Sequence, residues 1–222
     1  MKNFKTNILS FVCALCAAVS FTSCLNDSNN ESSWTPPSQA EKDMACIETS
    51  GMYEGRIYFQ NESTSKKDSL SINYSVTDST VVINNFPVSF LSNYVRDINA
   101  KAIVAKAPTT SLRLKMGLNV SPTKSGTNNY YQFYFFPEYK DMKYSFRITE
   151  DTENEVKHHE AALQFQTYIY VNGYPYYAAA AYLNKKMQAN FCIKEIIIDG
   201  NTYAIDNVFG MAGKKGGFNE KQ

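Results

Sequence analysis

The chain has 222 residues, 44% of them hydrophobic and 14% aromatic, which is enough for a substantial buried core in one domain. Its 22 basic and 21 acidic residues nearly balance, and removing an N-terminal segment with Lys2 and Lys5 would leave 20 basic residues against 21 acidic ones, a formal charge of −1. Such a balance indicates neither a nucleic-acid partner nor binding to an acidic lipid surface.

The first 23 residues have the pattern of an export signal. Lys2 and Lys5 precede an apolar stretch at 8–21, which is shorter than the roughly 20 apolar residues that a membrane-spanning helix needs. The tetrapeptide Phe-Thr-Ser-Cys at 21–24 resembles a bacterial lipobox, in which Cys24 becomes the lipid-modified first residue. An ordinary signal peptide with a coincidental cysteine is the alternative. We expect a signal peptide over 1–23 and a lipid anchor at Cys24.

The residue after the cysteine and the segment that follows concern location and domain organisation. Leu25, in place of aspartate, resembles sorting to the outer membrane, with the domain on either its periplasmic or its cell-surface face. Residues 24–43 are polar and contain a Pro-Pro pair, so they predict a tether. A single domain is expected over 44–210, followed by a flexible polar tail at 211–222.

Cys46 and Cys192 remain once the signal and the anchor are set aside. In an oxidising envelope compartment they could form a disulfide, which would close a long loop and stabilise the fold by roughly 4–5 kcal/mol in the chain-entropy model. The alternative is two separate buried thiols that behave as small apolar side chains.

The body of the chain alternates apolar and polar residues with period two. The clearest segments are 70–76, 112–120, 144–148 and 163–171, and each predicts a strand with one buried face. Asn172-Gly173 and Asp199-Gly200 supply hairpin turns. About ten antiparallel strands are expected between Tyr53 and Ile205.

One segment departs from this alternation. After Pro87, the apolar residues Phe90, Leu91, Tyr94 and Ile98 follow helical spacing, which predicts one amphipathic helix near 88–99. The helix would pack on the sheet and cover apolar surface that the strands leave open. The sequence thus predicts a mainly β fold, either a barrel of about 8–10 strands closed by one helix or a β-sandwich.

Several features together resemble a known family. These are the lipobox, the polar tether, the segment Gly51–Ile57, the entry into the helix at Phe86–Ser89 and the long C-terminal strands. They are similar to uncharacterised lipoproteins of gut Bacteroidota that carry a domain of unknown function. The resemblance implies an antiparallel barrel of the lipocalin-like, or calycin-like, kind. It implies no activity.

Residues suited to catalysis are scarce. His158 and His159 are the two histidines, and adjacent side chains point apart in an extended segment, so they make a poor metal site. No Gly-x-Ser-x-Gly motif presents a serine nucleophile, and phosphate-binding and dinucleotide-binding motifs are absent from the sequence. We therefore predict no catalytic residue, no metal ligand and no cofactor. Glycan hydrolysis by a carboxylate pair is the weakest alternative, because no motif selects such a pair.

Aromatic residues supply the candidate binding site. Tyr131 and Phe133 lie in the tract 130–136, and Tyr168, Tyr170 and Tyr176 lie in the tract 168–177. Tyrosine combines an apolar ring with a hydroxyl, which suits an amphipathic ligand or a sugar. We expect a lipid-anchored, non-catalytic binding protein for a small amphipathic ligand or a glycan. The alternative is an accessory subunit that acts through protein contacts and exposes a large aromatic patch.

Overall fold

The computed structural model of the protein describes residues 36–61, 66–152, 155–171 and 173–216. The predicted signal peptide, Cys24 and residues 24–35 of the predicted tether lie outside the described residues. Asn172 of the predicted hairpin turn also lies outside them. Within the described ranges, no helix is both long and apolar enough to cross a lipid bilayer.

Thirteen strands make up most of the described chain. They are β1 (Gly51–Asn61), β2 (Lys66–Thr77), β3 (Thr80–Pro87), β4 (Thr109–Leu118), β5 (Thr123–Ser125), β6 (Asn128–Pro137), β7 (Lys143–Thr152), β8 (Glu155–Gln166), β9 (Tyr168–Val171), β10 (Tyr174–Tyr177), β11 (Ala179–Leu183), β12 (Lys186–Ile198) and β13 (Asn201–Lys215).

Eight of these strands close into an antiparallel barrel, which confirms the predicted calycin-like fold over the β-sandwich. The order around the barrel is β11, β6, β4, β3, β2, β1, β13 and β12, and β12 pairs again with β11. Closure leaves no open edge within this ring, which removes the exposed backbone groups of a sheet edge. Both predicted hairpin turns have strands on either side, and Asp199 and Gly200 adopt positive φ angles of 48° and 82°.

The long strand β12 pairs with two different strands, one after the other, on the side away from β13. Its first half, Lys186–Asn190, pairs with β11, whereas residues 192–198 pair with β8. The β7–β8 hairpin therefore continues the wall beyond the point where β11 begins. The predicted single strand at 163–171 is in fact the end of β8 and the whole of β9, and β9 pairs with β10 in a separate two-stranded sheet.

The barrel interior is filled by large side chains. Phe209 lies at the centre of an aromatic cluster, with its ring centroid 5.3 Å from Phe90 and from Tyr94 and 5.6 Å from Phe191. Such ring pairs add about 0.5–1.5 kcal/mol each beyond the burial of apolar area. The largest fully buried side chains include Tyr53, Tyr74, Tyr131, Phe86, Phe135, Phe165, Phe191 and Phe209.

A helix occupies part of the predicted tether. Helix α1 (Gln39–Thr49) begins at a capping box in which Ser38 accepts a hydrogen bond from the Glu41 N–H and the Glu41 carboxylate accepts from the Ser38 N–H. Tyr53 donates a hydrogen bond to the Thr49 carbonyl at 2.6 Å, which fixes α1 to the start of β1. Residues 39–43 are therefore helical rather than extended.

The helix predicted at 88–99 is two shorter elements. A 3-10 helix spans Val88–Tyr94, and helix α2 (Ile98–Ala105) starts anew because the Asp97 side chain accepts from the N–H groups of Asn99 and Ala100. Phe90, Leu91 and Tyr94 are buried in the core as expected, but Ile98 is 78% exposed.

The C-terminal boundary and the cysteines also differ from expectation. Strand β13 runs to Lys215, which pairs with Tyr53, so residues 211–215 belong to the barrel and not to a flexible tail. Cys46 lies in α1, where its thiol is 2.8 Å from the Ser79 hydroxyl, while Cys192 lies in β12. The two cysteines are not bonded to each other, because they stand on elements that place their thiols against different partners.

Candidate ligand-binding cleft

Strand β6 carries aromatic residues on both faces, and the barrel assigns the two faces different roles. Tyr131 and Phe133 point into the core, with exposed fractions of 0% and 5%. Tyr134 and Phe136 point outward and remain 50% and 37% exposed. The outer face of β6 is thus an aromatic surface on the outside of the barrel.

The β9–β10 hairpin packs against the outside of the barrel near this surface. Ile169 is buried against Ala178, Cys192 and Val208, so one face of the hairpin rests on the outer side of β12 and β13. Ala178 donates a backbone hydrogen bond to the Thr167 carbonyl at 2.7 Å, which ties the two ends of the hairpin together.

A cleft of about 340 Å³ lies between β6 and the base of this hairpin. Tyr134 of β6 pairs with Ala179, the first residue of β11, so the residues of β6 after Tyr134 have no partner on β11. The cleft lies at this point, where the pairing of β12 changes from β11 to β8. The lining residues are Asn119, Phe133, Tyr134, Phe135, Phe136, Thr167, Tyr177, Ala178 and Ala179. The size falls within the usual range for small-molecule sites, roughly 300–1,000 Å³.

Polar groups are few in the cleft and charges lie beside it. Asn119 and Thr167 are the lining residues with polar side chains other than tyrosine. Across the β4–β6 pairing, Lys115 stands opposite Phe136 and binds Glu138 at 3.0 Å. The hydrogen bond from Lys115, with a further contribution from Arg113, lowers the pKa of the Glu138 carboxyl below its usual value. The cleft is therefore apolar in its walls and ionic only at its margin.

The five predicted binding residues occupy four different environments. Phe133 lines the cleft from the core side, whereas Tyr131 lies inside the barrel. Burial is the main cause that raises the pKa of the Tyr131 hydroxyl to about 12. Tyr168 and Tyr170 lie on the exposed face of the hairpin with ring centroids 5.7 Å apart. Tyr176 is half-buried on the opposite face, next to Cys192, whose thiol is 3.6 Å from the Tyr176 carbonyl oxygen.

The sequence reasoning missed Tyr134, Phe136 and Tyr177. All three belong to the two aromatic tracts, and Tyr134 and Phe136 occupy the other phase of the period-two pattern in β6. Because both phases are aromatic there, the alternation could not show which face of the strand points outward.

The histidines lie on β8, away from the cleft lining. His158 contacts the Thr149 hydroxyl at 3.1 Å, and His159 lies between Asp199 and Glu150. Among the described side chains, no group of three or more His, Cys, Asp and Glu residues is arranged to hold a metal ion.

Comparison with known proteins gives one match. Residues 48–198 match a family described as a domain of unknown function, DUF4840. No curated protein and no solved structure matches the chain at a significant level. The matched region covers most of the barrel, from the end of α1 through β12, and the chain therefore belongs to the DUF4840 family.

Proposed function

We propose that this protein binds a small amphipathic ligand in the cleft between β6 and the β9–β10 hairpin. The observation that carries the proposal is the exposure of Tyr134, Phe136 and Tyr177, which keep 50%, 37% and 36% of their surface around one concave site. Large apolar rings that converge on a hollow of this size are typical of a binding site rather than of a random surface.

The cleft chemistry favours an amphipathic ligand over a fully polar one. Its walls offer ring faces and alanine methyl groups, so an apolar portion of the ligand gains about 25 cal/mol for each Å² removed from water. Asn119 supplies an amide that can donate and accept hydrogen bonds, and Thr167 supplies a hydroxyl. A ligand with a planar or aliphatic body and a few hydroxyl groups meets both requirements.

A fluorescence titration with 1-anilinonaphthalene-8-sulfonate tests this proposal. The wild-type protein should bind the probe at one saturable site, and Phe136→Ala should weaken binding about ten- to hundredfold, because one ring contributes about 1.5–3 kcal/mol when buried. Tyr174→Ala is the matched control, since Tyr174 lies on the β9–β10 hairpin beside the cleft, is 70% exposed and does not line the cleft. Equal affinities for wild type and Phe136→Ala would refute the proposal. Saturable binding of a soluble oligosaccharide that Tyr177→Ala abolishes would assign the cleft to glycans instead.

The proposed location is the outer membrane, through a lipid at Cys24. Its support is the basic and apolar segment before Cys24, the lipobox-like tetrapeptide and the polar residues 25–38 before α1. Cys24→Ala should abolish incorporation of labelled palmitate and release the protein from the membrane fraction. Cys16→Ala, within the signal segment, should leave both unchanged. Palmitate incorporation that survives Cys24→Ala would exclude this anchor.

A second candidate function, as an accessory subunit, is favoured by the exposed face of the β9–β10 hairpin. Tyr168, Tyr170 and Tyr177 share that face, and the Tyr168 ring centroid is 5.8 Å from that of Tyr177. A photo-crosslinking residue at position 170 would then form one discrete protein adduct in the cell envelope, whereas the same residue at the exposed Lys67 would not. The absence of an adduct specific to position 170 would exclude this alternative.

A further inference from the structure

The β7–β8 hairpin is attached to the barrel along only part of its length. Strand β8 pairs with β12 from Gln166 to Ala161, and residues 155–160 continue beyond this pairing. Among the described strands, β7 pairs with β8 and with no other. The outer half of the hairpin, 147–152 and 155–160, is therefore held to the rest of the molecule by side chains and by the backbone hydrogen bond from the Asp199 N–H to the Glu160 carbonyl at 2.9 Å.

A partly exposed histidine, His159, takes part in these contacts: it links the hairpin to Asp199 and, within the hairpin, β8 to Glu150 of β7. His159 is 13% exposed, and its Nδ1 lies 2.7 Å from Asp199 Oδ2 while its Nε2 lies 3.2 Å from Glu150 Oε2. Asp199 belongs to the turn between β12 and β13, and its other oxygen accepts the backbone N–H of Glu160 at 3.0 Å. Lys106, just after α2, binds Glu150 at 2.8 Å. A single cluster thus joins the hairpin to α2 and to the β12–β13 turn.

The position of His159 follows from the pattern of β8. Ala161, Leu163 and Phe165 point into the core, so His159 lies on the same inner face one step nearer the end of the barrel. It pairs with the buried Ile148 across the hairpin. The apolar layer therefore ends at Ile148 and Ala161, and the polar cluster lies at its edge.

The protonation state of the ring decides how many of these contacts are hydrogen bonds. Ionised carboxylates only accept, and a neutral imidazole has a single N–H donor, so it can satisfy Asp199 or Glu150 but not both. The imidazolium ion donates to both at once, with the added strength of charge-assisted hydrogen bonds.

We propose that the outer half of the β7–β8 hairpin is a flap of the barrel wall, which His159 holds closed when both of its ring nitrogens carry protons and which loosens when one proton is lost. This inference goes beyond the proposed function, because it concerns the wall of the barrel and does not depend on what binds in the cleft. The end of β8 next to the cleft, 161–166, is paired with β12, so the loosening concerns the opposite end of the hairpin.

The surrounding charges set the direction of the pH dependence. The hydrogen bond to Asp199, more than that to Glu150, raises the pKa of His159. A raised folded pKa means that the stabilisation is complete below the unfolded value, about 6.5, and is lost as the pH rises through the folded value. Lys106, at the end of α2, binds Glu150 and lowers the pKa of that carboxyl, so it favours the ionised form of Glu150.

The remaining charged groups of the hairpin leave this direction unchanged. Lys157 lies opposite Glu150 on the same face and pairs with Glu155 at 3.3 Å. On the other face, Arg147 pairs with Glu160 at 2.7 Å. Histidine is the side chain whose ordinary pKa falls between pH 5 and 8. The hairpin carries His158 as well as His159, and the His158→Gln variant below separates the two.

Hydrogen exchange, corrected for the intrinsic effect of pH, tests the flap. Between pH 5.5 and 8.5, amide protection of residues 147–152 and 155–160 should fall on the order of tenfold in the wild type, while protection of β2 and β3 stays constant. His158→Gln is the matched control and should behave as the wild type, because His158 points away from the cluster. His159→Gln should remove the pH dependence of the hairpin. The same pH dependence in His159→Gln, or none in the wild type, would overturn the proposal.

A second variant keeps the test decisive if His159→Gln does not fold. Asp199→Asn lies on an exposed turn and retains an oxygen acceptor but loses its charge. It should move the midpoint of the hairpin transition, and the titration of His159 followed by NMR, to lower pH. A midpoint that does not move would equally exclude His159 as the group that controls the flap.

Discussion

Gly213 in β13 accommodates the ring of Tyr74, and replacing it by alanine should destabilise the barrel. A Cβ atom at position 213 would lie 2.7 Å from Tyr74 Cε1 and 2.9 Å from the Glu54 carbonyl oxygen, and it would also overlap the Tyr74 hydroxyl. Tyr74 is fully buried and stacks on Tyr53 with centroids 4.8 Å apart, so its ring has no room to withdraw.

The expected loss follows from these contacts. Overpacking a dense core costs typically about 1–3 kcal/mol, and Gly213→Ala should fall near the upper end, because one of the obstructing atoms belongs to the backbone of the paired strand β1. For a chain of this length, 1 kcal/mol corresponds to a shift in Tm of roughly 2–4 °C. Urea unfolding followed by circular dichroism would measure the free energy, with m unchanged if the folded state keeps its compactness.

Gly210→Ala, three residues earlier in the same strand, is the matched control. A Cβ atom there would have its nearest neighbours at 3.8 Å, which is ordinary van der Waals contact. The variant should be neutral or gain a few tenths of a kcal/mol, because alanine loses less chain entropy than glycine on folding. A Gly213→Ala protein as stable as Gly210→Ala would show that β13 does not pack against Tyr74 as described.

Tyr74→Phe isolates the contribution of the hydroxyl. Within the part of the chain that the structure describes, this buried hydroxyl has no hydrogen-bond partner, and burial raises the pKa of Tyr74 well above its ordinary value. Removing it should leave stability unchanged or raise it by about 1 kcal/mol. In the Gly213→Ala background it should recover part of the loss, which gives a coupling of at least about 1 kcal/mol in a double-mutant cycle. Strict additivity would contradict the contact between these two positions.

Three further variants test the helix start, the cysteines and one ion pair. Asp97→Ala should cost about 1 kcal/mol in urea unfolding, because α2 loses its N-terminal cap, and no loss would argue against a new helix start at Asp97. Cys46→Ala should change the free energy of unfolding by less than about 1.5 kcal/mol, the value of one hydrogen bond, whereas a loss of about 4–5 kcal/mol would indicate a bond to Cys192. The Glu138 carboxyl should titrate by NMR below its usual range, so its contribution to stability is present at neutral pH and lost as the pH falls through that lowered pKa. Lys115→Gln should move the titration back towards the ordinary value, and an unchanged midpoint would refute the role of this ion pair.

Period two in the sequence was sufficient to predict a mainly β fold, because each segment with one buried face has to find a partner for that face, whereas the choice of a barrel over a sandwich came from the family resemblance. Segments such as 70–76 and 112–120 indeed became β2 and β4, with Ile72, Tyr74, Leu112 and Leu114 in the core. The turn at Asp199-Gly200 was equally predictable, since its residue types suit the positive φ angles that it adopts.

Helix starts were harder to predict where two signals competed. The Ser38–Glu41 capping box is present in the sequence, but the polar composition and the Pro-Pro pair beside it favoured a tether. Helix α1 is stable because Ala45 and Thr49 are buried against the barrel, a tertiary contribution that composition does not reveal. At Asp97, local capping likewise overrode the longer apolar periodicity, which had placed Ile98 in the core.

The candidate cleft could not be located from the sequence, because its position depends on where β12 changes partners. Phe133 and Tyr134 are neighbours in the chain, yet one completes the core and the other faces solvent. A calycin-like barrel with open space inside would have directed attention to the inward residues. Here the inward rings fill the interior, and the apolar surface available to a ligand lies outside, where the wall divides between β11 and β8. Residues 155–160 of the β7–β8 hairpin, by contrast, extend beyond the pairing with Ile198, the last residue of β12. The cleft therefore lies where β12 changes partners, and the proposed flap lies where β12 ends.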